Sequence, residues 1–162
     1  MSRLDSFIRR LEAQRACLNN AAQLIAAVPG NALEFGLGNG RTYDHLREQL
    51  RGRDIYVFER KVAAHSDCIP PDDRLFLGDF LDSLPKAIAQ LGQATALANL
   101  DIGSGDEAAS QRLARAMLPF VLRLLAPHGI LISDQPVDDA ALEALPLPPG
   151  IKPGRYFLHR RR

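Results

Sequence analysis

The stretch Leu33-Glu34-Phe35-Gly36-Leu37-Gly38-Asn39-Gly40-Arg41-Thr42 constrains the fold of this chain most. An apolar run at 32–35 enters a turn with glycine at alternate positions. A segment with Thr42, Leu46 and Leu50 on one helical face leaves it. Glycines spaced in this way let the backbone turn tightly and approach a ligand closely, because no Cβ stands between them. The unpaired N–H groups at the start of the following helix favour a negatively charged ligand group. The same turn also serves as a tight connection that binds nothing, so the rest of the chain has to decide between the two.

Downstream, apolar runs alternate with helix-patterned segments. Ile55-Tyr56-Val57-Phe58 is continuous rather than alternating, as in a parallel strand buried on both faces. Leu75-Phe76-Leu77, residues 94–100 and Ile130-Leu131-Ile132 read as further strands. Helices are expected over 42–50, over 80–91 with an interruption near Pro85, and from about 104 to 124 with a kink at Pro119. Ser104-x-x-Glu107 has the form of a capping box for the last of these. Upstream, Leu4, Phe7, Ile8, Leu11 and Leu18 form a helical stripe over 2–18. Asn19-Asn20 interrupts it, a short second helix follows, and Pro29-Gly30 stops that helix. Residues 138–145 read as a short helix and 155–159 as a last strand.

This alternation predicts one α/β domain over 1–162 with a doubly wound, mostly parallel, Rossmann-like sheet. It comprises a helical lead-in at 1–28, a core at 31–135 and a truncated C-terminal strand region. The lead-in either covers one end of the sheet or forms part of a lid. At 46% hydrophobic and 24% charged residues the chain has the balance of an ordinary globular domain. A net charge of +1 gives no reason to expect nucleic acid or an anionic membrane as partner, and no apolar run reaches the length of a membrane span. Cys17 and Cys68 are too few for a disulfide framework and lack metal-type spacing, as expected of thiols in a reducing cytoplasm. Nothing at the N-terminus resembles a signal peptide.

Right-handed crossovers bring the C-terminal ends of parallel strands to one edge, so polar residues there are candidates for a site. Glu59 ends the second strand 19 residues beyond Gly40, where a carboxylate can hold the hydroxyls of a ribose. Asp79 follows the third strand and is also placed to cap the helix after it. Asp101 ends the fourth strand. The glycine spacing differs from the dinucleotide pattern G-x-G-x-x-G, position 41 is Arg, and Glu34 stands two residues before the first glycine.

Acid-x-Gly-x-Gly-x-Gly at a first strand end resembles motif I of the class I S-adenosylmethionine-dependent methyltransferases. Glu59, Gly78-Asp79, Asp101 and the passage LLAPHGILISD at 124–134 extend the resemblance over about 31–135. It implies methyl transfer from S-adenosyl-L-methionine by a small, bacterial-type member of that family. The three glycines would approach the cofactor, with Asn39 between them and Thr42 near its carboxylate. Glu34 and Phe35 would lie beside its ammonium end, and Glu59, with Arg60 next to it, at the ribose. Gly78, Asp79 and Phe80 would meet the adenine, while Asn99, Leu100 and Asp101 flank the methionine and sulfonium end. Asp101 is the candidate catalytic residue should the acceptor have to lose a proton. No metal is expected, although carboxylates at Asp101 and Asp134 with the Gln135 amide are similar to a divalent-cation set in O-methyltransferases of this fold.

The chain departs from the family in lacking substrate-recognition insertions and the Asn-Pro-Pro-Tyr type of motif after strand four. The expected acceptor is therefore a small molecule rather than a nucleobase. A pocket open on one side leaves homodimerisation as a way to complete it. Two other readings stay open: a cofactor-binding module completed by a partner chain, and a nicotinamide-dependent oxidoreductase in which Arg60 meets a 2′-phosphate. His45, His65, His128 and His159 are expected at the surface. The basic tail His159-Arg160-Arg161-Arg162 is either solvated or turned to an acidic partner.

Overall fold

The computed structural model describes residues 2–162. In chain order it contains α1 (Arg3–Leu24), β1 (Asn31–Phe35), α2 (Arg41–Gln49), β2 (Ile55–Glu59), β3 (Leu75–Leu77), α3 (Phe80–Leu91), β4 (Thr95–Leu100), α4 (Glu107–Leu124), β5 (Leu125–Ser133), β6 (Leu142–Leu145) and β7 (Phe157–Arg161). Two short 3₁₀ turns, Ser66–Cys68 and Asp72–Arg74, lie between β2 and β3. The strands form one seven-stranded sheet in the order β3-β2-β1-β4-β5-β7-β6. The first five strands are parallel, and β7 runs antiparallel to both β5 and β6.

Because successive strand residues point to opposite faces, β5 sends Ile130 and Ile132 to one core and Leu131 to the other. On the first face they meet Cys17, Leu18, Ala21 and Ile25 from α1 and its end, with Leu46 of α2. On the second, Leu131 joins Leu33, Phe35 and Phe58 against Leu84 of α3 and Met117 and Val121 of α4. Strand order reverses between β1 and β4, and a doubly wound sheet opens a crevice at the strand C-termini there.

Several local expectations change. The lead-in is one continuous helix, because Asn19 is held in it by a 2.7 Å hydrogen bond with His45 of α2. Its buried face is Ala13, Gln14, Cys17, Leu18 and Ala21, whereas Leu4, Phe7 and Ile8 are 66%, 46% and 45% exposed. Both α3 and α4 run through their prolines. The cap of α4 is Asp106, which accepts from the Ala109 N–H, while the Ser104 N–H donates to Ser110 Oγ instead. Residues 142–145 are a strand rather than part of a helix, since β7 leaves one hydrogen-bonding edge open beside them. The short C-terminal region therefore supplies both antiparallel strands.

The basic tail is part of this framework. Arg161 donates to the carbonyls of Leu122 and Leu125 at the end of α4, and Arg162 Nε to Leu142 O at 3.3 Å. A similar device fixes the end of α1. Arg53 donates to the carbonyls of Ile25, Val28 and Gly30 at 2.8, 2.7 and 2.9 Å, satisfying groups that the helix leaves unpaired. Arg53→Ala is expected to cost about 2 kcal/mol in urea unfolding with an unchanged m-value.

Candidate active site

The glycine turn sits between β1 and α2. Gly36 has φ +91°, and a Cβ there would lie 2.4 Å from the carbonyl oxygen of Asp101, so β1 and the end of β4 approach this closely only with glycine. A Cβ on Gly38, at φ +51°, would meet no protein atom within 4 Å. Its missing side chain leaves open space above the loop. Gly40 begins α2 in a left-handed conformation with no side-chain cap.

Beneath the loop lies a buried polar cluster. Glu34 is fully buried. Thr42 Oγ1 donates to Glu34 Oε1, and Asn99 Nδ2 donates to Oε2 at 2.8 Å. Burial raises the Glu34 carboxyl to about 8, against the two hydrogen bonds that favour its charged form, with nearby Asp101 adding to the rise. Glu34 ties β1 to β4 and to the first turn of α2, so it does not line the cleft as a partner for an ammonium group. Phe35, Asn99 and Leu100 are also fully buried. Phe35 stacks on Phe58 at 4.3 Å between centroids and meets Phe80 edge-on at 5.9 Å. These residues support the floor of the site rather than its surface.

Above the loop is a cleft of about 330 Å³. The strand ends and loops contribute Gly36, Leu37, Gly38, Asn39, Arg41, Thr42, Glu59, Phe80, Asp101, Ile102 and Gly103. The Glu59 carboxylate is fixed at the rim by three backbone donors: Gly38 at 3.1 Å, Arg60 at 2.7 Å and Lys61 at 3.2 Å. Gly78, Asp79 and Arg60 are not in the lining. Asp79 caps α3 by accepting from the Leu81 N–H and pairs with Arg60 at 3.4 Å on the exposed rim.

The remaining wall comes from α1, which the sequence reading left undecided. Phe7, Arg10, Leu11 and Gln14 line the cleft. Their spacing at i, i+3, i+4 and i+7 is the only local signal that they share a face. Arg10 Nη2 donates to Asp101 Oδ1 at 3.0 Å and Gln14 Nε2 to Oδ2 at 2.7 Å, across 91 and 87 residues of sequence. Asp134 turns to backbone, accepting from Gly103 N at 2.8 Å and Ile102 N at 3.3 Å, and burial followed by repulsion from Asp101 raises its pKa. The two carboxylates are thus engaged by separate donors. Groups of three or more His, Cys, Asp or Glu able to hold a metal are absent among the described residues.

Comparisons with known proteins agree on what such a cleft belongs to. A family profile described as S-adenosyl-L-methionine methyltransferase matches residues 1–161. The crystal structure of an S-adenosyl-L-methionine methyltransferase from Silicibacter pomeroyi DSS-3 superposes with a TM-score of 0.95 at 44% identity, covering 100% of this chain and 99% of that one. The SAH-bound methyltransferase PaMTH1 of Podospora anserina shares the fold at a TM-score of 0.57 and 17% identity, over 100% of this chain and 80% of the other. No curated protein matches the sequence. The seven-stranded Rossmann-like sheet, the glycine turn at its switch point and the match along nearly all of its length make this chain a member of the S-adenosyl-L-methionine methyltransferase family.

Proposed function

We propose that the cleft between the glycine turn and α1 holds S-adenosyl-L-methionine and presents its methyl group to a small-molecule acceptor. The residues fit the cofactor. Gly38 leaves room for the ligand against the loop, and Glu59 offers a fixed carboxylate to a ribose diol. Phe80 offers a ring to pack on an adenine, with Gly78, Asp79 and Arg60 at the outer rim. Gly36, Asn39, Gly40 and Thr42 shape the loop, and Glu34, Phe35, Asn99 and Leu100 hold it from below.

The bound cofactor supplies a methyl group on a positively charged sulfur, open to in-line attack. What the chain contributes is alignment and exclusion of water. Asp101 has both carboxylate oxygens committed to α1, so we assign it to holding that wall and its ligand rather than to removing a proton.

The observation that supports a small acceptor is the position of α1. With Phe7, Arg10, Leu11 and Gln14 across one side, the cleft is walled and about the size of one small molecule, the cofactor itself, so an acceptor has to reach the methyl group past α1. The helix also walls a side of the pocket that a second subunit would otherwise complete. The nicotinamide reading is not favoured, because the matching family model and the 44% identical structure are both S-adenosyl-L-methionine methyltransferases. The chain is proposed to act as one domain over 1–162, in a reducing compartment that suits its two free thiols.

Glu59→Ala tests the cofactor placement. Loss of charge-assisted bonds to the ribose should weaken binding of S-adenosylhomocysteine by about 30- to 150-fold in calorimetry. Unchanged affinity would remove Glu59 from the site. An acceptor screen reading S-adenosylhomocysteine release would then test the substrate class, and turnover on a folded protein or nucleic acid but on no small molecule would overturn it.

A further inference from the structure

We propose that the methyl acceptor carries an apolar body, aromatic or alkyl, which lies along the exposed face of the first turns of α1 while its reactive atom reaches into the cleft. This rests on the cofactor reading above and adds the chemical class of the second substrate. Among the described residues, six large apolar side chains are exposed, and three of them, Leu4, Phe7 and Ile8, are grouped in the first turns of this one helix. Together with Leu11 they stand at i, i+3, i+4 and i+7, so they form one continuous face.

That face runs directly into the cleft. Phe7 and Leu11 belong to the cleft lining, whereas Leu4 and Ile8 lie outside it. The reacting end of the cofactor is expected beside Asp101, on the side that α1 walls, so a ligand reaching it from solvent passes these side chains. An apolar body that covers Leu4, Phe7 and Ile8 removes them from water, and binding is favoured in proportion to the area covered. A cationic acceptor gains less. Asp101 is paired with Arg10, and Glu59 is held by backbone N–H groups, so neither carboxylate of the lining is free to recognise it.

Larger partners suit the same face less well. A second copy of the chain needs about 800 Å² on each side for a stable dimer, and three part-exposed side chains supply only a fraction of that. A macromolecule or membrane broad enough to cover Leu4, Phe7 and Ile8 together would also lie across the cleft mouth at Phe7 and Leu11, and would shut off exchange of cofactor and product. A small molecule covers the face and leaves as the methylated product. The face also has a fixed base. Ala13, Cys17, Leu18 and Ala21 of the same helix are buried, and Arg155 donates to Ser6 Oγ at 2.8 Å.

The test titrates N-phenyl-1-naphthylamine, a neutral apolar fluorophore, into the full chain saturated with S-adenosylhomocysteine. One site is expected, with S-adenosylhomocysteine still bound. The double variant Leu4→Gln, Ile8→Gln changes only exposed side chains outside the cleft lining and introduces a good helix former. Its affinity for S-adenosylhomocysteine should stay within about twofold, while its affinity for the probe falls about 10- to 30-fold. In the acceptor screen, compounds with a benzyl or alkyl group should be the ones turned over, with kcat/KM about tenfold lower in the double variant. Absence of probe binding, equal binding by the double variant, displacement of S-adenosylhomocysteine by the probe, or turnover confined to wholly polar acceptors would each overturn the proposal. So would self-association of the wild type, or its sedimentation with phosphatidylcholine–phosphatidylglycerol vesicles, if the double variant abolished it, because a second copy or a membrane would then cover the face. A wild-type protein that binds no S-adenosylhomocysteine would instead overturn the cofactor reading itself, whatever the probe does.

Discussion

Alanine at Gly36 is expected to damage the fold, and alanine at Gly38 to act chiefly on the site. In Gly36→Ala the new Cβ falls 2.4 Å from the Asp101 carbonyl at φ +91°, a contact with backbone that no side-chain rotation can relieve. Either β1 or the end of β4 must move, and both are at the centre of the sheet. A loss of about 3 kcal/mol or more is expected in denaturant unfolding, with binding of S-adenosylhomocysteine lost as the loop shifts. In Gly38→Ala the Cβ meets no protein atom, and the left-handed backbone costs about 1–2 kcal/mol. Its effect should appear in binding, on the order of 10- to 100-fold, because the added methyl occupies cofactor space. Comparable binding by Gly38→Ala and wild type would show that the ligand does not approach the loop at that point.

The second large effect concerns pH. Glu34 is buried with its carboxyl raised from 4.5 to about 8, so the folded protein holds a proton there that the unfolded chain has released. Stability from this group is fully present below about pH 4.5 and declines as pH rises towards about 8, because charging Glu34 in place opposes folding. The full decline is on the order of 4–5 kcal/mol. Glu34→Gln copies the neutral form, accepts from Asn99 and stays close to Thr42. It should flatten this part of the profile and be more stable than wild type above pH 8. A wild-type and Glu34→Gln pair with parallel stability profiles from pH 5 to 9 would contradict the assignment. Glu34→Ala should instead destabilise at every pH, since it opens a cavity and strands the buried Asn99 amide.

Residues whose role is set locally were legible in the sequence. The alternation of apolar strands and helices gave the parallel core, and the glycine turn and Glu59 marked the strand ends that gather at the cleft. Glu34 was singled out for its spacing, yet its burial depends on Asn99, which is 65 residues away. Asp79 meets its cap role through the next two residues, and that local bond was foreseeable. Arg10 and Gln14 were not, because their partner Asp101 is reached only after most of the sheet has formed. The apolar residues of α1 misled for the same reason. Leu4, Phe7 and Ile8 have the pattern of a core face, but the sheet reaches α1 only further along, through Cys17, Leu18 and Ala21. At the other end, β6 carries too little apolar periodicity to announce itself, and it is a strand because β7 offers it an edge.

The most direct measurement is a crystal structure of the protein with S-adenosylhomocysteine. The ribose hydroxyls should lie within hydrogen-bond distance of Glu59, with the ligand running over Gly38 and its methionine end beside Asp101. Density for the ligand outside the cleft, or inside it with Glu59 turned away and bonded only to the Gly38, Arg60 and Lys61 backbone, would contradict the account.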